Sequence, residues 1–470
     1  MRGKSCVIIG AGLAGLAAGY KLKKAEWNVK IVEARDRIGG RVFTHRFREN
    51  PDLYCELGGE WVGQQHDRVR DLCKDFNLPL IPHRFDSSFA ERGRIVAQFR
   101  AGEWPFPRRL HAKIKRSTEA IVKRWSKKRQ EEFDKQDWWT YLHDLRFSLK
   151  DLLRRDLMDS TDFGESIRQV GAYSAASEYY GSGSNKYDEM DLRIEGGNTR
   201  LANALAERIA LDAIHTCKEV TQVIQEHAEN GKVTVWTEDN RTELFVPPRP
   251  KRKNPKKRLP SRRESFSAGY CICTVPARVL TYIHFDPPLP EGHKKAAREL
   301  QYARIMKTAL LFENRFWKER RGTKFSCFTD GTSDFIFDAT LGQSAEEGIL
   351  CSYAIGDKAD DLAACGTEEL RQSIGRDLAC LFPGARTDAI AITRYAWQED
   401  KYTEGAYALY RPGQWFPLRK VLRTPHYYVH FAGEHLADEQ GFMEGAIESG
   451  EEAARVVMKS YIEQHQKTKK

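Results

Sequence analysis

The chain has 470 residues, 41% hydrophobic and 30% charged, a globular balance with length for two or three folded units and disorder confined to local stretches. Its net charge of +10 is local: nine Lys or Arg and no acid lie within 249–263 (RPKRKNPKKRLPSRR), so the remainder is close to neutral and no nucleic-acid partner is expected. No apolar run approaches the roughly 18 residues of a membrane helix, the first motif begins at residue 6 where a signal peptide would stand, and the ten cysteines lack zinc-site or disulfide spacing, so the expectation is a soluble, cytoplasmic protein with reduced thiols, no metal and no membrane partner.

Residues 6–9 (CVII) read as a short apolar strand, GAGLAGLAAGYKL as a turn opening a helix, and VKIVE (29–33) as a second strand, together one βαβ unit. Gly10, Gly12 and Gly15 stand at GxGxxG spacing, and Glu33 follows eighteen residues after Gly15. The first glycine permits a tight turn, the second lets backbone approach a pyrophosphate, and the third lets the helix pack closely on the strand. The helix N-terminus presents N–H groups to phosphates, while the Glu33 carboxylate accepts from ribose hydroxyls. A lone GxGxxG is a weak signal, but its full βαβ setting predicts a dinucleotide site rather than a merely glycine-rich turn.

Farther along, 108–170 is dense in charge and tryptophan and reads as helical, a layer distinct from the nucleotide fold. Between 217 and 275, EVTQVIQE, KVTVWTE and YCICTVP flank the basic run and predict a three-stranded excursion ending at Pro276. The run itself carries Pro250, Pro255 and Pro260 and reads as a solvated surface loop over 246–265, with partner binding as the alternative. Residues 367–382 read as helix, ITRYAW and YYVHFAGEH as strands, and GFMEGAIESGEEAARVVMKS as a long amphipathic helix.

The stretch EARDRIGGRVFT (33–44) resembles the opening of the flavin-dependent amine oxidases, which include monoamine, polyamine and L-amino acid oxidases. The resemblance continues through ELGGEWVG (56–63), IEGGNTRLANALAERI (194–209), CTVPARVLTYIHFDPPLP (273–290), YARIMKTALLFENRFW (302–317), WQEDKYTEGAY (397–407) and FAGEHLADEQGFMEGAIESGEEAA (431–454). It implies an α/β (α+β) chain with a Rossmann-like FAD-binding domain of glutathione-reductase type over 1–80, 193–285 and 391–465. An interleaved substrate-binding domain of mixed sheet and helices would occupy 81–192, largely helical, and 286–390.

The resemblance also implies cofactor contacts at Gly10, Gly12, Gly15, Glu33, Arg35, Gly40, Arg41, Gly58, Gly59, Glu60, Trp61, Val220, Trp397, Gly433, Glu434, Gly441, Phe442 and Met443. Arg35 and Arg41 would lie toward the adenine side and the diphosphate, and Trp397 beside the flavin ring. Lys307 falls where the family keeps a lysine that holds a water near flavin N5. It sits among Ile305, Met306, Ala309, Leu310 and Leu311, where an ammonium is expensive to bury without a purpose, although a solvent-facing lysine on a strand is the plain alternative. Tyr407 and Phe442 fall on the family's aromatic cage, against the plain alternative of core packing. Ala406 stands where membrane-bound monoamine oxidases carry a flavin-linking cysteine, so FAD is expected to be non-covalent.

The implied reaction oxidises a C–N bond of a small amine to the imine, with O2 reduced to H2O2 and the imine hydrolysed. L-amino acid oxidation on the same scaffold is the first alternative; a flavin-dependent desaturase and a non-catalytic flavin scaffold are the others. In L-amino acid oxidases the loop around Trp61 commonly carries a carboxylate-gripping arginine, and its aromatic replacement favours amines without a carboxylate. Glu60 is open to two readings, greeting a distal ammonium or accepting from backbone donors. A homodimer stays open.

Overall fold

The computed structural model describes residues 3–100, 103, 105–181, 192–226, 231–241, 262–322, 324–385 and 387–467. Most of the basic loop, 242–261, lies outside the described residues. The chain divides into two compact units: Met1–Arg41, Leu201–Glu299 and Arg419–Lys470 form the first, Val42–Arg200 and Leu300–Leu418 the second. The functional division expected from the sequence groups 42–80, 193–200 and 391–418 with the cofactor domain and 286–299 with the substrate domain, whereas these packing units place the first three segments in the second unit and the last in the first.

The first unit is built on a five-stranded sheet whose neighbouring strands run parallel, with Val429–Phe431, Tyr270–Cys273, β1 (Ser5–Ile9), β2 (Asn28–Val32) and Ile214–His215 side by side. Parallel strands are covered on both faces, which is why CVII and YCIC are unbroken apolar runs and fully buried. Helix α1 (Leu13–Lys24) packs against the long helix Met443–Lys467, and a Cβ on Gly450 would stand 2.1 Å from Ala14 O, so only glycine lets the two come this close.

A second, four-stranded sheet in this unit holds the meander Lys218–Gln225, Val233–Asp239 and Arg263–Ala268, with His284–Asp286 parallel to the first of these. This corrects the strand assignment made from sequence. The third meander strand is RESFSA, half exposed and starting where the basic run ends, whereas YCIC belongs to the parallel sheet.

The second unit centres on a seven-stranded mixed sheet, in the order Ala391–Ala396, Ile305–Phe312, Gly348–Ile355, Phe335–Asp338, Phe325–Thr329, Asp86–Glu91 and Arg94–Phe99. One face carries a core of Leu310, Phe312, Trp317, Phe325, Ile336 and Leu350, closed by Leu370, Ile374, Leu378 and Leu381 of the helix Thr367–Leu381. The helical layer is Arg108–Glu119, Lys127–Phe133, Trp138–Asp144, Leu149–Phe163 and Ala172–Gly181. Three of these helices begin at a side-chain cap: Ser126, Asp137 and Ser148 accept from the backbone N–H of Arg129, Thr140 and Asp151. Gly164, at φ +72°, ends Leu149–Phe163 in the left-handed region. Among the described residues, no helix is long and apolar enough to cross a membrane.

Candidate active site

In the first unit the GxGxxG turn is a cradle bare of side chains. Gly10 has φ +101°, and a Cβ on Gly15 would lie 2.0 Å from Gly10 O. A second glycine turn leans on the first: Gly39 N donates to Ala11 O, and a Cβ on Gly40 would stand 3.1 Å from Gly12 Cα. Helix α1 begins at Gly12 with no side-chain cap and no acid in its first turn, leaving its positive end to an anion from outside the chain. Buried Glu33 accepts from Ala11 N (2.7 Å) and Arg35 N (2.8 Å), bracing the turn with lone pairs to spare. Arg35 Nη1 is 3.8 Å from the same carboxylate. These features fit a dinucleotide phosphate group.

Arg41, read from the sequence as a cation for the diphosphate, also has a protein counter-ion. Its Nη1 lies 2.6 Å from Glu434 Oε1, and Gly441 N donates to the other oxygen at 2.9 Å. Burial would raise the Glu434 carboxyl, but the guanidinium holds it below its ordinary value. Arg41 thereby ties the segment after β2 to the 433–441 loop, in which Gly433 and Gly441 both have positive φ. Phe442 is half-buried and stands just before the helix Met443–Lys467 rather than within it, and Met443 is buried. Val220 is half-buried at a bulge in the strand Lys218–Gln225.

In the second unit, the expected flavin loop has its backbone pinned by side chains. Trp397 Nε1 donates to Leu57 O (2.8 Å), Lys307 Nζ to Gly58 O (2.9 Å), and Asn198 Nδ2 to both Gly59 O (3.0 Å) and Glu60 O (2.7 Å). Lys307 comes from a strand buried at every position, Ile305–Phe312, and its ammonium also meets Glu60 Oε2 at 2.8 Å and Glu56 O at 3.3 Å. The rings of Trp61, Tyr353 and Phe337 lie 5.2, 5.7 and 6.0 Å from Nζ. Trp61 Nε1 is buried without a protein partner among the described residues. Burial alone would strip Lys307 of its proton and give Glu60 one; their mutual attraction wins, holding the lysine above its ordinary value and Glu60 at about 2.

Glu60 is therefore neither a partner for a distal ammonium nor an acceptor for backbone donors, as the sequence allowed. Its side chain is fully buried and engaged by Lys307 and by His83 Nε2 at 3.1 Å. His83, Asn198 and Arg193 were not singled out from sequence. Arg193 is fully buried, donates to Ala339 O and Leu341 O, and lies 3.9 Å from Glu60.

Tyr407 follows Ala406 through a cis peptide and is half-buried. Its hydroxyl donates to Thr161 O at 2.8 Å, with the Tyr353 hydroxyl 3.4 Å away. Burial first, then Tyr353, Asp162 and Glu178, push the Tyr407 hydroxyl well above its ordinary value.

Comparison with known proteins places the chain. The model of flavin containing amine oxidoreductases matches residues 13–458. The chain belongs to that family. It is thus an oxidoreductase, and its cofactor is FAD. Among curated relatives, the L-amino acid oxidase bordonein-L of Crotalus durissus terrificus is 27% identical over 97% of this chain and 87% of its own length. An L-amino-acid oxidase of Demansia vestigiata is 27% identical over 97% and 86%. Among solved structures, putrescine oxidase bound to putrescine superposes with a TM-score of 0.81 at 21% identity, covering 97% of this chain and 98% of that one. Cyclohexylamine oxidase from Brevibacterium oxydans gives 0.79 at 20%, covering 97% and 99%. These two likenesses show a shared fold. The family member described here therefore combines a glycine-walled cradle in one unit with a buried, ion-paired lysine in the other.

Proposed function

We propose that the protein oxidises a small amine lacking a carboxylate at its C–N bond, with O2 as electron acceptor and non-covalent FAD as cofactor. The observation that carries this reading is the pairing of Lys307. Its positive charge is already balanced by Glu60 at 2.8 Å, and its N–H bonds are met by Glu60 Oε2, Gly58 O and Glu56 O. The loop 56–63 around Trp61 adds no Lys or Arg of its own, so a substrate carboxylate finds no spare forked donor there, whereas a neutral amine needs none.

The strand order of the parallel sheet, 3-2-1-4-5 in chain order, supports a Rossmann-like cofactor domain around Gly10, Gly12, Gly15, Glu33, Arg35, Gly40 and Arg41. The pinned loop of Gly58, Gly59, Glu60 and Trp61, together with Val220, Trp397, Gly433, Glu434, Gly441 and Met443, keeps the cofactor roles implied by the resemblance. Bound FAD would supply the two-electron acceptor for the C–H bond beside nitrogen, in a form that O2 reoxidises with release of H2O2.

The protein residues orient and exclude water. Tyr407 stays a neutral phenol whose proton is given to Thr161 O, so it acts as a wall and not as a base. Phe442 keeps the cage role that the resemblance implies, as a ring without a titrating group. An aromatic wall restricts a bound amine to few poses. Lys307 is assigned the developing negative charge of oxygen reduction through its field alone, since its three N–H bonds are met by Glu60 Oε2, Gly58 O and Glu56 O and leave none for the water that the resemblance implied.

Oxidation of L-amino acids is the second reading, favoured by the curated relatives' names and their coverage of this chain. Anaerobic mixing of the yellow protein with a panel of amines, diamines and L-amino acids separates the two. Bleaching by amines at lower concentration is expected, and bleaching by L-amino acids alone overturns the proposal.

A further inference from the structure

Lys307 has three N–H bonds, and each meets a protein acceptor: Glu60 Oε2, Gly58 O and Glu56 O. Two neutral carbonyls do not offset the cost of taking an ammonium out of water; a counter-charge does. The candidates around it sort clearly. Glu56 is held near 7 by burial, so it is only partly ionised at neutral pH, and the Cys55 and Cys351 thiols are pushed far up by burial. Arg193 has the wrong sign, which leaves Glu60 as the full opposite charge.

Glu60 is itself aimed. Burial lowers His83 to about 4, so the ring is neutral. A neutral imidazole 3.1 Å from a carboxylate oxygen must donate to it, so Nε2 carries the hydrogen and Nδ1 is the acceptor, which has no protein partner among the described residues. His83 thus spends its one donor on Glu60 Oε1, turning Oε2 toward Lys307.

We propose that Glu60, oriented by His83, is the positioning residue of Lys307: it fixes the ammonium in one place and keeps it charged. The proposal rests on the reading of Lys307 as the site's working cation, but its principal test does not involve turnover. In the wild type the raised lysine contributes stability below the unfolded value of about 10.4 and loses it only above. In Glu60→Gln the buried lysine falls below that value. The unfolded chain then binds a proton that the folded chain refuses, and the variant gains stability as pH rises from 7 to 10.

The experiment measures urea unfolding of the purified holoenzyme, wild type and E60Q, across pH 7–10. The stability gap between them should narrow as pH rises, and a gap independent of pH overturns the proposal. His83→Leu should show the same trend more weakly, and His83→Gln, which keeps an N–H donor, should restore it toward wild type; identical behaviour of the two overturns the role of His83. If E60Q fails to fold, the same change in a Lys307→Met background decides. There, with no lysine to lose its proton, E60Q should leave the pH dependence over 7–10 unchanged relative to K307M, and a K307M E60Q chain that still gains stability as pH rises relative to K307M overturns the pairing. If instead K307M reoxidises normally while the unfolding results hold, the redox reading fails and the positioning stands.

Discussion

A methyl group at Gly15 tests the close approach on which the cofactor cradle depends. A Cβ there lies 2.0 Å from Gly10 O, 3.1 Å from Gly10 C and 3.2 Å from Ile8 Cγ2. A carbon and an oxygen settle at about 3.3 Å, so α1 must lift off β1 by roughly 1 Å. Such overpacking costs about 1–3 kcal/mol, and the upper end applies because the obstacle is backbone carbonyl, which has no rotamer to yield. Alanine's better helix propensity returns about 1 kcal/mol, leaving a net loss of about 2 kcal/mol. That corresponds to a fall in Tm of about 4–8 °C in a unit of this size. The control is Gly292→Ala in the same unit, at an exposed position of the helix Glu291–Glu299, where a Cβ meets nothing nearer than Val421 Cγ1 at 3.7 Å. There the same change should be neutral or stabilise by up to about 1 kcal/mol. Thermal unfolding and the flavin absorbance per chain are read together. Because the lifted helix also carries the phosphate-facing N–H groups, G15A should lose FAD while G292A keeps it. Equal Tm shifts in the two variants, or a fully yellow G15A, would refute the reasoning.

Replacing Lys307 by Met should slow reoxidation of the reduced protein by O2 more than its reduction by amine; stopped-flow traces showing equal losses in both halves would count against a role for the charge in oxygen reduction. Acid precipitation should leave FAD in the supernatant, since Ala406 offers no thiol for a covalent link, and a yellow pellet would reverse that assignment. Burial lowers His430 from 6.5 to about 4, so the unfolded chain takes a proton that the folded chain refuses. The contribution is complete above about pH 6.5 and is lost as pH falls toward 4, by as much as about 3 kcal/mol. His430→Phe should flatten the wild-type loss of stability over that window, and an unchanged slope in urea unfolding would contradict it.

What the sequence makes legible here are residues whose type is itself the constraint. Gly10 and Gly15 answer to a positive φ and to a 2.0 Å approach that no other residue meets, so their spacing carries the turn with it. Lys307 stands out for the opposite reason, as a cation in an otherwise apolar run that turns out to be buried at every position. Partners are another matter, because nothing local selects them. Glu60 is 247 residues from Lys307, and a carboxylate next to a glycine pair reads equally well as facing substrate or backbone until the strand Ile305–Phe312 is placed. Asn198, His83 and Arg193 are invisible for the same reason. The strand error at YCIC has a different cause: in RESFSA the charge density of the preceding basic run continues into a half-exposed strand, so composition concealed the period that burial later shows. The sequence does pose the need for a partner. An ammonium buried in a strand requires an anion, and ELGGEWVG is the block in which two glutamates stand four apart around a glycine pair. The buried charge of Lys307 therefore calls for an anion without naming which acid supplies it, and the packing of the strand makes the choice; the same reasoning explains why the loop's carbonyls at 57–60 are all met by long or planar N–H donors whose burial would otherwise be uncompensated.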